Sequence, residues 1–75
     1  MQEDFRLRVF VTVAEMKSFS KAAELLHVSQ PAVSQHISEL ERQLGVKLLE
    51  RQRGMTALTP AGEVFDRHAR EILPG

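Results

Sequence analysis

Cysteine is missing from the 75-residue chain, and neither sign of charge is in excess. Without thiols the chain builds neither a disulfide framework nor a thiolate zinc site, and nothing in it calls for an oxidising compartment. The longest apolar stretch falls far short of the roughly 18 residues that a membrane span needs. The first residues, Met1-Gln2-Glu3-Asp4, are acidic where a signal peptide is basic. No repeat or low-complexity tract occurs. The expectation is a soluble, cytoplasmic protein with no membrane partner.

What is present describes one small globular domain: 43% of residues are hydrophobic and 27% charged. A chain of this length buries only about 60% of the surface its unfolded form exposes, so its core is marginal unless supported, for example by oligomerisation. The 10 Lys+Arg and 10 Asp+Glu cancel, yet they are segregated. Arg42, Lys47, Arg51 and Arg53 lie together with Glu50 opposing, while Glu3, Asp4, Glu63, Asp66 and Glu71 lie near the ends. A neutral total hides a locally basic segment.

Four helical patterns and one hairpin pattern follow. From about Asp4 to Met16, Leu7, Phe10, Val13 and Ala14 recur at steps of three and four, which predicts a helix with one buried face. Ser20 suits an N-cap for a short helix over Lys21 to about Leu26, with small Ala22 and Ala23 for close crossing and Leu25 and Leu26 for apolar bulk. His27-Val28-Ser29 reads as a turn, with Ser29 capping a third helix and Pro31 in its first turn. Val33, Ile37, Leu40 and Leu44 give that helix its buried stripe, and Gly45 ends it. Pro31, Ser34, Gln35, Ser38 and Arg42 fall opposite the stripe, with Gln30 at its N-terminal edge.

Val46, Leu48 and Leu49 lead into a strand, Gln52-Arg53-Gly54-Met55 reads as a turn, and Thr56 to Thr59 as the return strand. Such a hairpin is marginal alone and must lean on the helices. Thr59-Pro60 opens a fourth helix reaching about Leu73, with Ala61, Val64, Phe65, His68, Ala69 and Ile72 on one stripe and Pro74-Gly75 at its end. That stripe is wider than one contact with a small core requires.

The order helix, helix, three-residue turn, helix, hairpin is that of a winged helix-turn-helix, whose use is to place the second helix of the pair in a DNA major groove. A helical protein-interaction module, with the fourth helix and the first binding a partner, shares the same pattern. Catalysis is not expected. His27, His36 and His68 lack the i, i+4 spacing of a helical zinc site, Asp66 and His68 do not face each other, and there is no glycine-rich phosphate loop. No metal or cofactor is expected.

The stretches Leu7-Arg8-Val9-Phe10 and Ser18-Phe19-Ser20-Lys21-Ala22-Ala23-Glu24-Leu25-Leu26-His27-Val28-Ser29-Gln30-Pro31-Ala32-Val33-Ser34 resemble the N-terminal domain of LysR-type transcriptional regulators. The resemblance continues through Ile37, Leu40-Glu41, Leu44-Gly45, Leu48-Leu49-Glu50-Arg51 and Leu58-Thr59-Pro60-Ala61-Gly62. It implies a mainly α fold: a winged helix-turn-helix with a three-helix core and two-stranded wing over 1–59, then the start of a linker helix over 60–75. It also implies a bacterial module for sequence-specific binding of double-stranded promoter DNA at an imperfect palindrome, with the recognition helix about 30–44 and the wing about 48–59. In the family, the linker helix pairs two subunits, the whole protein is tetrameric, and a larger domain, absent here, binds a small-molecule effector. This chain then reads as a piece of a longer protein, with Pro74-Gly75 near the cut.

Uncharged polar side chains match the donors and acceptors of base edges, and glutamine suits adenine. With the matching family positions, this assigns Gln30, Ser34 and Gln35 to base readout, and Pro31 to a thymine methyl. The sequence departs from the family at Gln35-His36, where many relatives carry arginine in the first place; His36 reads as a boundary residue. The plain alternative is a solvated helix face. Phosphate contacts fall to Ser20, Lys21, Ser29, Ser38 and Arg42, although Ser29 and Thr59 serve equally as caps. Arg51 and Arg53 belong to the wing, with a solvated hairpin as the alternative. The resemblance assigns Val64, Phe65, His68, Ala69 and Ile72 to dimerisation, with half-sites one helical turn or a multiple apart.

Overall fold

A computed structural model describes the backbone of residues 2–74 and the side chains of 5–74. Met1, Gly75 and the side chains of Gln2, Glu3 and Asp4, used above for the acidic start and the end of the last helix, lie outside the described residues. The elements are α1 (Gln2–Met16), α2 (Phe19–Leu26), α3 (Gln30–Leu44), β1 (Leu49–Gln52), β2 (Met55–Leu58) and α4 (Pro60–Ile72). No helix among the described residues is long and apolar enough to cross a membrane.

The first helix lies at the centre, packed against α2, α3 and α4. Val9, Phe10 and Val13 are fully buried, whereas Leu7 and Ala14, expected on the buried face, are only partly so. With apolar residues on most sides of α1, periodicity alone does not select a face; neighbours on several sides do. Thr12, also buried, returns its hydroxyl hydrogen to Arg8 O at 2.7 Å, which satisfies the one polar group that its side chain brings inside.

Ser18, not Ser20, caps α2: its Oγ accepts from Lys21 N at 3.1 Å. Both serines have the right chemistry. Starting the helix two residues earlier lets Phe19 pack against the core, and that apolar contact decides between them. Ala22 and Ala23 are buried as expected, but Leu25 is 61% exposed. Eight residues make barely two turns, and only one side of them meets the body.

The turn between α2 and α3 is a Schellman cap. His27 takes a left-handed conformation, φ 61, and its N–H donates to Glu24 O while Val28 N donates to Ala23 O at 3.1 Å. Ser29 Oγ then accepts from Ala32 N at 3.2 Å, opening α3. Val33, Ile37 and Leu40 are buried. Leu44, expected in the same stripe, is 44% exposed because the last turn of α3 runs past the body that covers the others. Gly45 closes the helix at φ 72.

The hairpin is tighter than the expected four-residue turn. Leu49 pairs with Leu58 and Gln52 with Met55, leaving two turn residues, Arg53 (φ 54) and Gly54 (φ 77). Positive φ at both is the type I′ geometry whose twist matches that of a two-stranded ribbon.

Thr59 is nearly buried and joins three segments. Its Oγ1 accepts from Gly62 N at 2.9 Å and donates to Lys47 O at 2.6 Å, while its N–H donates to Leu48 O at 3.0 Å. The fourth helix then returns along α1, with Phe65 edge-on to Phe10 at 5.3 Å between ring centroids. Its wide stripe therefore divides. Ala69 is buried and Phe65 half-buried against the domain's own core, while Val64, His68 and Ile72 face solvent.

Candidate nucleic-acid interface

The buried stripe of α3 fixes the rest of that helix by geometry. At about 100° per residue, Pro31, Gln35, Ser38 and Arg42 form its outer crest, and all four are exposed. Gln30 and Ser34 lie on the flank towards the wing. There they line a polar groove of about 420 Å³ with Lys17, Ser18, Ser20, Arg51 and Thr56. An adjoining groove of about 270 Å³ extends it along Ser34, Ser38 and Lys47. Gln35, on the crest, borders a separate groove on the far side with Arg6 and His36. The four residues assigned to base readout thus share one outward arc of α3, but only two of them border the wing-side groove.

His36 is half-buried with its ring edge-on to Phe5 at 5.4 Å, the boundary position expected for it. Of the residues assigned to phosphate, Ser29 is engaged as the cap of α3. The Ser20 hydroxyl donates to Gln30 Oε1 at 2.9 Å. Lys21, Ser38 and Arg42 are exposed, and Arg42 pairs with Glu39 one turn back. Lys47 pairs with Glu41 at 3.7 Å. Folding therefore sets two carboxylates of α3 against the basic segment that Glu50 alone opposes in the linear sequence.

Glu41 also ties the wing to α3. Its Oε2 accepts from Leu48 N at 2.8 Å and Leu49 N at 3.2 Å, and Thr56 N donates to Lys17 O at 3.3 Å on the other strand. Arg51 lies at the groove edge, with Nη1 donating to Gly54 O at 3.3 Å. Sequence reading gives Lys17 no role and marks Lys47 only as part of the basic segment. Lys17 ends α1 at φ 56, and only folding sets that end beside the start of α3; no local pattern marks it. Among the described residues no cluster of His, Asp or Glu is placed to hold a metal ion.

Three helices, a three-residue helix–helix turn, and a two-stranded wing flanking the exposed side of the second helix of the pair define a winged helix-turn-helix. A family profile described as bacterial regulatory helix-turn-helix protein, lysR family, matches residues 5–63, and the chain belongs to that family. The family is one of transcriptional regulators, not of enzymes.

Solved structures agree. The chain is 42% identical to the BenM DNA-binding domain in complex with catB site 1 DNA, covering 92% of this chain and 78% of that one with a TM-score of 0.88. It is 43% identical to the CbnR DNA-binding domain in a DNA complex, covering 92% and 79% with a TM-score of 0.87. A hydrogen-peroxide-bound OxyR mutant from Corynebacterium glutamicum is 46% identical over 91% of this chain, with a TM-score of 0.86. The chain spans 21% of that OxyR chain. Comparison with curated protein sequences gave no match.

Proposed function

We propose that this chain is the promoter-binding domain of a bacterial transcriptional regulator, reading double-stranded DNA with α3 in the major groove and the wing on the minor groove or backbone. The observation that carries the reading is the outward arc of α3. It offers amide, hydroxyl and proline surfaces to solvent while the opposite stripe is locked into the core. In this reading Gln30, Pro31, Ser34 and Gln35 meet base edges, Lys21, Ser38 and Arg42 meet phosphates, and Arg51 and Arg53 follow the backbone beside the groove. The DNA complexes of the BenM and CbnR domains support it, at 42% and 43% identity.

The fourth helix, Pro60–Ile72, begins the linker helix, whose exposed residues Val64, His68 and Ile72 pair with a second copy so that two recognition helices address an imperfect palindrome. The whole protein is then a cytoplasmic tetramer that senses a small molecule through a domain beyond this chain.

A salt titration tests the reading. If about five phosphates are neutralised per subunit, log Kd against log salt has a slope near 4.5 in magnitude, since each contact contributes about 0.9. Selection from a randomised duplex pool yields a preferred sequence. Salt-insensitive binding, or no preferred sequence, overturns it.

A further inference from the structure

The bond from Ser20 Oγ to Gln30 Oε1, 2.9 Å long, joins the first turn of α2 to the first residue of α3. Both side chains are exposed and both border the groove between α3 and the wing. The backbone around each is already capped by a different serine, Ser18 for α2 and Ser29 for α3. The Ser20 hydroxyl is therefore not needed to start either helix. Its partner is the side chain assigned to base readout.

We propose that Ser20 is a positioning residue for sequence recognition, holding the Gln30 amide in one orientation before DNA arrives. The inference rests on Gln30 reading a base, and it replaces the phosphate contact expected for Ser20. A free glutamine loses rotamer freedom when it docks on a base, and a bond made beforehand removes part of that loss. It does so for one presentation of the amide. With Oε1 turned to Ser20, Nε2 is left to donate to a purine N7, and the second lone pair of Oε1 completes the pair with an adenine N6 amino group. The base selected is then adenine.

The test begins with the wild-type chain and a randomised duplex pool, followed by single base-pair variants of the selected duplex. Gln30→Ala identifies the position at which preference collapses. Ser20→Ala is expected to lower discrimination at that same position about three- to tenfold, leaving affinity for unrelated duplexes, the salt slope and the melting temperature unchanged. Ser20→Thr, which keeps the hydroxyl, restores discrimination. In the Gln30→Ala background, Ser20→Ala has no further effect. A uniform loss on every duplex with a shallower salt slope makes Ser20 a phosphate contact and overturns the proposal. So does a loss that persists without Gln30, or selection of a base other than adenine. If Gln30→Ala flattens no position, the base-reading role of Gln30 itself fails, a result seen before Ser20 is altered.

Discussion

A Cβ built on Gly62 would lie 2.0 Å from the carbonyl oxygen of Leu48. The obstacle is backbone, so no side chain can swing away, and the start of α4 or the wing must shift. Gly62→Ala is expected to destabilise the domain by about 3 kcal/mol, measured by urea denaturation; a loss under about 0.5 kcal/mol would mean that α4 does not approach the wing so closely. Arg53 presents the opposite case, a side chain held at φ 54 where asparagine is favoured. Arg53→Asn is expected to raise stability by about 0.5 kcal/mol while weakening binding to all duplexes alike, read by thermal melting and by titration. The arginine is then kept for its charge at some cost to the turn.

At the scale of elements, the wing is placed by polar ties to helices more than by its own pairing. Glu41 accepts two backbone N–H groups at the entry to β1, Thr59 fixes the exit, and Lys17 O accepts from β2. Glu41→Ala leaves the Leu48 and Leu49 amides without that acceptor in a half-buried place. The expected cost is about 2 kcal/mol, with amide exchange rising first in β1 and β2. Glu41→Gln retains one acceptor and loses the ion pair with Lys47, so its cost is smaller. Exchange that accelerates uniformly across the domain would show that Glu41 holds no particular element.

For the whole molecule, the Cα radius of gyration is 11.2 Å, close to the roughly 11 Å of a packed domain of this size. The fourth helix is thus folded onto the body, with one face spent on the core and the other turned out. Replacing Val64 and Ile72, 48% and 64% exposed, by aspartate is expected to abolish self-association in sedimentation experiments while leaving the melting temperature nearly unchanged. Ala69→Asp, at a position 1% exposed, unfolds the domain instead. A wild-type chain that stays monomeric at high micromolar concentration removes the pairing role of α4.

Local signals were enough for the helix order, for Ser29-Pro31, Gly45 and Thr59-Pro60 as boundaries, and for the outward arc of α3, because caps and 3.6-residue periodicity act within a few residues of chain. They put the cap of α2 at Ser20 instead of Ser18 and counted Leu7 and Ala14, rather than Val9, in the buried face of α1, and they left open how the stripe of α4 divides. Those choices depend on neighbours distant in sequence: Phe19 reaching the core, several elements surrounding α1, and Phe65 meeting Phe10. Packing also set Glu39 and Glu41 against the basic segment and brought Lys17 and Ser20 beside Gln30. A charge or a hydroxyl exerts its effect over ångströms of space, and only the folded chain fixes those distances.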